Sequence, residues 1–171
     1  MGGDVDEQAR KKLIALYRDG YRAVSEVLLK ITPQELDAKP APTGWSVRQI
    51  IHHLADSEMT AAVRLRLLLA EDRPTIHGYD QDQFAARLHY DRPHETSLEL
   101  FKWAREGTAE ILERLTAAEW LRQGTHTEVG RFGVEEWLTT YGEHAHRHAR
   151  QIRMARDAAV KQQAEAAKTA S

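Results

Sequence analysis

In this chain of 171 residues, apolar side chains recur every three or four positions along four long segments. That spacing is the period of the α-helix. We predict helices over residues 4–30, 46–71, 96–115 and 134–155. Strand-like alternation is confined to Thr125, Thr127 and Val129, which could form one short extended piece without a convincing partner strand. Amphipathic helices bury their apolar stripes by packing on one another, so the expected fold is an all-α four-helix bundle.

Two predicted helix starts carry the sequence of a capping box, in which a hydroxyl and a side-chain amide or carboxylate satisfy opposite backbone N–H groups. One is Ser46-Val47-Arg48-Gln49, with Trp45 and Ile50 as the matching hydrophobic staple. The other is Thr96-Ser97-Leu98-Glu99. Of the connectors, 32–42 could include a helical turn at residues 33–36, and 72–95 is ambiguous, with residues 81–88 as its candidate helix.

The length of the chain favours a single domain, which we place at residues 1–160. Residues 161–171 are mainly Ala, Gln and Lys without an apolar stripe and are expected to fray. With 42% hydrophobic residues the chain can bury a core without metal or disulfides. The absence of cysteine excludes thiolate nucleophiles and Cys-ligated metal sites, so metal chemistry would need His and carboxylates.

The formal net charge of −2 provides no overall field that would draw the protein to nucleic acid or to an anionic membrane. Its apolar runs are far shorter than the roughly 20 residues that a membrane span requires. The first residues lack the apolar core of a signal peptide. We therefore expect a cytoplasmic protein with neither nucleic acid nor membrane as a partner.

Five of the nine histidines fall in two of the predicted helices. His144 and His148 are four residues apart on the last helix, so their side chains lie about 40° apart around the axis and about 6 Å apart along it. His146 points away, since about 200° separates it from His144. Two imidazoles at a four-residue step can converge on one ion, although they could also be two partly exposed rings.

The second helix weakens that simpler interpretation, because His52 and His53 lie inside an otherwise apolar pattern. Burying another imidazole without a partner would cost about 1–3 kcal/mol. A metal ion shared with the pair on the last helix is a natural partner. Three neutral imidazoles with a position left open form the catalytic type of zinc site.

Two segments resemble signatures of the DinB-like superfamily, and in particular of its YfiT-like branch of candidate metalloenzymes. Residues 44–58, GWSVRQIIHHLADSE, are similar to the second-helix signature of that branch. Residues 141–152, YGEHAHRHARQI, are similar to its fourth-helix signature, in which two histidines four residues apart precede an Ile. The similarity in helix order and connector length covers nearly the whole chain.

This resemblance implies an up-down-down-up bundle, often a homodimer, in which histidines of the second and fourth helices hold nickel or zinc. By position, the implied metal ligands are His53, His144 and His148. His52 is the neighbour that does not bind the metal. Family members commonly have a further histidine or aromatic residue beside the last ligand, where this chain has Arg147 and Ala149, so the surroundings of the metal are expected to differ.

Three acidic residues adjoin the implied ligands. Asp56, one turn after His53, could accept a hydrogen bond from a ligand imidazole, or could equally take part in a surface or interhelical salt bridge. Glu58 and Glu143 are candidate general bases, at angles that could face solvent. Trp45 is expected first as a staple residue and second as a wall of a substrate cleft.

A divalent ion in such a site lowers the pKa of bound water and holds a bound thiol as thiolate. The superfamily resembled includes transferases that use low-molecular-weight thiols, so the leading hypothesis is metal-dependent transfer of such a thiol to a small electrophile. Metal-dependent hydrolysis of a small-molecule substrate is the close alternative. Non-catalytic binding of metal or of a small ligand, and a structural role without metal, are further hypotheses that the sequence leaves open.

Overall fold

The computed structural model describes residues 7–39, 41 and 44–169, and this part of the chain contains eight helices and three short strands. The elements in chain order are α1 (Glu7–Val27), α2 (Pro33–Leu36), α3 (Val47–Ala70), β1 (Thr75–Ile76), α4 (Gln81–Arg87), α5 (Glu95–Leu112), α6 (Ala117–Trp120), β2 (Gln123–His126), β3 (Gly130–Gly133), α7 (Val134–Gly142) and α8 (His144–Thr169). None of the described helices combines the length and apolar character needed to cross a bilayer.

The first and last long helices, α1 and α8, run parallel. Near the start of α8 and the middle of α1, His146 Nε2 lies 3.0 Å from the carbonyl oxygen of Leu16. About ten residues further along each helix, Arg156 donates to the carbonyl of Val27 at 2.5 Å. Contacts that advance together along two helices require the same direction.

The two middle helices, α3 and α5, are also parallel to each other. His52 Nδ1 lies 2.7 Å from the hydroxyl of Ser97 near the beginning of both helices. Further along, the Arg66 guanidinium lies 3.3 Å from the hydroxyl of Thr108.

The α1 and α8 pair runs in the opposite direction to the α3 and α5 pair, as contacts between α1 and α5 show. Tyr21 lies against Phe101, with ring centroids 6.4 Å apart, whereas the earlier residue Arg18 reaches the later residue Glu113. The bundle is therefore up-down-down-up, as the family resemblance implies, and the prediction of a four-helix bundle is confirmed.

Several predicted boundaries agree with the structure. The Ser46 capping box is present, since the Ser46 hydroxyl accepts from the Gln49 N–H and the Gln49 side chain accepts from the Ser46 N–H. The helical turn expected at residues 33–36 forms α2, and the candidate helix at residues 81–88 forms α4. Residues 4–6 of the first predicted helix lie outside the described residues.

The second predicted capping box is wrong. Helix α5 begins at Glu95, so Thr96 and Ser97 lie inside it, and its N-cap residue, His94, makes no side-chain capping bond. The Ser97 hydroxyl instead contacts His52 of α3. The start of α5 is thus held by a tertiary contact between Ser97 and a buried imidazole, and not by the predicted local cap.

The expectation of an unpaired extended piece is also wrong, because the described chain contains a three-stranded sheet in the order β1-β2-β3. Strand β1 is parallel to β2, with Thr75 opposite Thr125, and β2 and β3 form an antiparallel pair. Thr127 and Val129 lie in the turn between β2 and β3. Strands of two and four residues are too short to show a clear alternation, and β1 is far from β2 in sequence.

The predicted fourth helix is interrupted at Glu143, which separates α7 from α8. A Cβ added at Gly142 would lie 3.2 Å from Leu13 Cδ2, so glycine permits α1 to approach closely at this point. The break places His144 at the first turn of α8. At the other end, α8 continues through Thr169 with residues 161–168 exposed, and the fraying of residues 161–171 stays a prediction.

A buried ion pair lies between two apolar clusters of the bundle core. Glu58 of α3 and Arg105 of α5 are each 1% exposed, and Arg105 Nη1 donates to Glu58 Oε2 at 2.5 Å. The guanidinium also donates to the carbonyl oxygens of Tyr17 in α1 and Tyr141 in α7. The Tyr17 hydroxyl donates to Glu58. One hydrogen-bonded group therefore joins four helices.

We predict that Arg105→Met lowers the free energy of unfolding by about 3–5 kcal/mol, because it leaves the Glu58 carboxylate buried without its cation. The double variant Glu58→Leu, Arg105→Met should lose less, since no uncompensated charge remains. Urea denaturation of both variants beside the wild type measures this. A loss below about 1 kcal/mol in the single variant would contradict the structural importance of the pair.

Candidate metal centre

Three imidazoles from α3 and α8 converge at one end of the bundle. His53 lies on α3, and His144 and His148 lie one turn apart at the start of α8. One ring nitrogen of each histidine can be chosen so that all three lie within 4.8 Å of one another. The ring centroids are 4.6 Å apart for His144 and His148, 4.8 Å for His53 and His148, and 5.4 Å for His53 and His144. The structure thus brings together all three predicted ligands.

The hydrogen bonds of His148 define which of its nitrogens is free to bind a metal. His148 Nδ1 is 2.7 Å from Gln151 Oε1, an arrangement in which Nδ1–H donates and the amide oxygen accepts. In the neutral ring, Nε2 then carries a lone pair. This Nε2 faces His144 Nε2 at 3.1 Å. Gln151 therefore orients the His148 lone pair towards the centre of the cluster, as a neighbouring acceptor commonly does for a metal-binding histidine.

Burial keeps the three imidazoles neutral. Desolvation lowers the pKa of His53 to about 3 and the pKa of His148 to about 4. Desolvation also holds the pKa of His144 well below its usual value, and repulsion from the protonated forms of His148 and His53 and from Arg147 lowers it further. Neutral imidazole is the form that binds a metal ion. Three such donors suit a borderline divalent ion, so the residues present fit a zinc or nickel site.

The cluster opens into a cleft of about 420 Å³. The Trp45 ring packs on His53, with centroids 4.6 Å apart, and lines the cleft together with Ile50. Gln81 and Asp82 of α4 also line it. The imidazoles are therefore accessible from one side, which distinguishes this arrangement from a closed structural metal site.

Comparison with known proteins identifies the family of this chain. The model of the DinB superfamily matches residues 16–152, most of the chain and all three histidines of the cluster. The chain belongs to the DinB superfamily.

Relatives within this superfamily carry a functional name. A candidate metal-dependent hydrolase of Oceanobacillus iheyensis is 35% identical over 98 residues, which cover 57% of each chain. Another from Halalkalibacterium halodurans is 30% identical over 121 residues, or 71% of each chain. The first match thus spans little more than half the length of that relative.

Among solved structures, YfiT from Bacillus subtilis superposes with a TM-score of 0.83 at 27% identity. The superposition covers 92% of this chain and 91% of YfiT. YfiT is described as a candidate metal-dependent hydrolase with an unusual four-helix bundle topology. The fold found here is therefore the fold of that branch of the DinB superfamily.

His52 lies outside the cluster despite being adjacent to His53. Its Nε2 is 3.1 Å from the carbonyl oxygen of Arg92, so Nε2–H donates there, and Nδ1 accepts from the Ser97 hydroxyl at 2.7 Å. Both ring nitrogens are occupied, and burial lowers the pKa of His52. This imidazole ties α3 to the start of α5, and its expected role as a non-ligand stays a prediction.

The structure gives two of the three acidic candidates other partners. Asp56 is buried and accepts a hydrogen bond from the Tyr90 hydroxyl at 2.7 Å, which is a different contact from the expected one with a ligand imidazole. Glu58 is engaged by Arg105 and is sealed from solvent, so it is not available as a general base. Glu143 is exposed and is absent from the described lining of the cleft.

Sequence patterns did not predict how α3 holds the connector 77–94. Arg64 donates to the carbonyl oxygen of His77, and His52 and Asp56 hold the other end of the same connector. Arg64 also donates to the hydroxyl of Tyr141 at 2.8 Å. This connector carries α4 to the cleft, so the polar face of α3 shapes the site indirectly. Polar residues spaced through an otherwise apolar helix were the available signal.

The metal-free protein should lose stability as pH falls below about 6.5. The unfolded chain binds protons at its histidines near that pH, whereas folded His53 and His148 stay neutral until about 3 and 4. Stability is therefore complete above pH 6.5 and declines towards pH 4, by about 2 kcal/mol for each histidine between pH 7.5 and 5. Urea denaturation of chelator-treated protein across this range measures the slope.

A His53→Gln variant should show a shallower dependence on pH, because it removes one of these groups. The control His77→Gln removes an exposed imidazole and should keep the slope of the wild type. Equal slopes for the wild type and His53→Gln would show that burial does not hold His53 neutral.

Proposed function

We propose that this protein is a metal-dependent hydrolase in which His53, His144 and His148 hold one divalent transition-metal ion. The observation that supports this most directly is the set of ring nitrogens lying within 4.8 Å of one another on two different helices. The accessible cleft beside them leaves room for a small-molecule substrate. The names of the relatives support hydrolysis as the reaction class.

Two residues of the cleft have roles that follow from their contacts with the histidines. Gln151 fixes the tautomer of His148, and Trp45 covers one face of His53 and limits its exposure to water. A divalent ion bound here would supply a nucleophile at neutral pH by lowering the pKa of water, and would polarise the bond under attack. Desolvation keeps the three imidazoles free of competing protons at neutral pH.

Transfer of a low-molecular-weight thiol is the second candidate function. It rests on the family resemblance and on the size of the cleft, which at about 420 Å³ exceeds the space that one water needs. The same three imidazoles would serve either reaction, since a divalent ion also stabilises a thiolate. Residence in the cytoplasm and assembly as a homodimer remain predictions from the sequence and the resemblance.

Metal binding is tested first. Protein purified without a histidine tag and stripped with a chelator should take up one equivalent of zinc or nickel per chain. His53→Ala should bind well below one equivalent, whereas the control His77→Ala should match the wild type. Elemental analysis after dialysis gives the stoichiometry. Full uptake by His53→Ala would exclude this site and, with it, the proposed function.

Turnover then separates the reaction classes. We expect the metal-loaded protein to release p-nitrophenol from p-nitrophenyl acetate, and expect the rate to fall to background in His53→Ala and after chelation. Thiol transfer predicts instead metal-dependent conjugation of cysteine to chlorodinitrobenzene. Stoichiometric metal uptake without turnover in either assay would support a non-catalytic binding protein.

A further inference from the structure

Arg147 occupies an unusual position in the cleft. It lies on α8 between His144 and His148, is exposed, and lines the same cleft as the two imidazoles. A guanidinium is therefore held close to the proposed ligands, on the side from which a substrate would enter.

The Arg147 side chain has no hydrogen-bond or ion-pair partner within residues 7–39, 41 and 44–169. Glu143 lies four residues before Arg147 and Asp82 lines the same cleft, yet neither forms an ion pair with Arg147. Most arginines near the bundle core are engaged, as Arg105 and Arg156 illustrate. Five N–H donors thus remain available at the mouth of the site.

The electrostatics of the cleft favour an anion. Three neutral imidazoles contribute no charge, so a divalent ion would add two positive charges and Arg147 a third, against the carboxylate of Asp82 in the cleft lining and that of Glu143 four residues before Arg147. A guanidinium presents paired donors that match the two oxygens of a carboxylate or of a phosphate. Partial exclusion of water by Trp45 would strengthen such a contact relative to an open surface.

We propose that Arg147 is a specificity-determining residue that binds an oxyanion group of the substrate beside the metal-bound end. The inference rests on the proposed metal site and adds the class of substrate: a small molecule that carries a carboxylate or phosphate a few bonds from the atom that meets the metal. Arg150 provides the contrast, because it is exposed on the same helix but is absent from the described lining of the cleft.

The test uses the full chain loaded with cobalt(II), whose visible absorption reports ligand exchange at the metal. Three small thiols of similar size serve as probes: mercaptoacetate, which is anionic, mercaptoethanol, which is neutral, and cysteamine, which is cationic. Each is titrated into the wild type, Arg147→Gln and the matched control Arg150→Gln. Cobalt stoichiometry is measured first for all three proteins.

We expect the wild type to bind mercaptoacetate more tightly than mercaptoethanol. Arg147→Gln should weaken the binding of mercaptoacetate about tenfold, change that of mercaptoethanol less than about twofold, and strengthen that of cysteamine. Arg150→Gln should behave as the wild type. The preference for the anionic probe should also decline at higher ionic strength.

The outcomes separate the two proposals. Full cobalt binding with the same preference among thiols in the wild type and Arg147→Gln would overturn the role of Arg147 alone. An equal loss of preference in Arg150→Gln would overturn it as well, because the effect would then come from the overall charge of α8. Failure of the wild type to bind cobalt at all would overturn both the metal site and the inference that rests on it.

Discussion

The buried pair of Glu58 and Arg105 is the interaction on which the arrangement of the bundle depends. Its hydrogen bonds reach α1, α3, α5 and α7, and its members are 1% exposed. Gly20 allows this meeting, since a Cβ there would lie 2.6 Å from Arg105 Nε and 2.6 Å from Ala145 Cβ. Because Arg105 binds the carbonyl of Tyr141, it sets the end of α7 from which α8 and His144 follow. A structural ion pair thus positions the cluster without touching it.

Helix α3 contributes a proposed metal ligand on the side of α8 and hydrogen-bonding side chains on the side of α5 and the connector 77–94. One face carries His53 towards α8, while His52, Asp56 and Arg64 hold α5 and the connector 77–94. The solvent-exposed stripe of α3 is narrow and includes the apolar residues Met59 and Val63, so the apolar pattern marks its orientation less clearly than in a typical surface helix. Hydrogen bonding of each buried polar group explains how the bundle tolerates them.

The sequence was sufficient to predict elements that depend on local chemistry. The Ser46 capping box and the spacing of His144 and His148 follow from contacts between near neighbours, and both are present. The small sheet could not be predicted in this way, because β1 meets β2 across some fifty residues and each strand is very short. The same holds for Asp56, whose partner Tyr90 comes from a connector without a clear pattern. Tertiary contacts decided these features.

The low pKa values of the three histidines connect the fold with the proposed chemistry. A metal ion can bind an imidazole only after its proton is removed, so a site that is already neutral avoids that cost at pH 7. Here the packing of Trp45 and the closeness of the rings provide the desolvation. The same burial would make an isolated, partnerless imidazole costly. Gln151 satisfies His148 Nδ1 and leaves Nε2 facing His144 Nε2, so one ring nitrogen from each of the three histidines lies near a common point where a cation is the complementary partner.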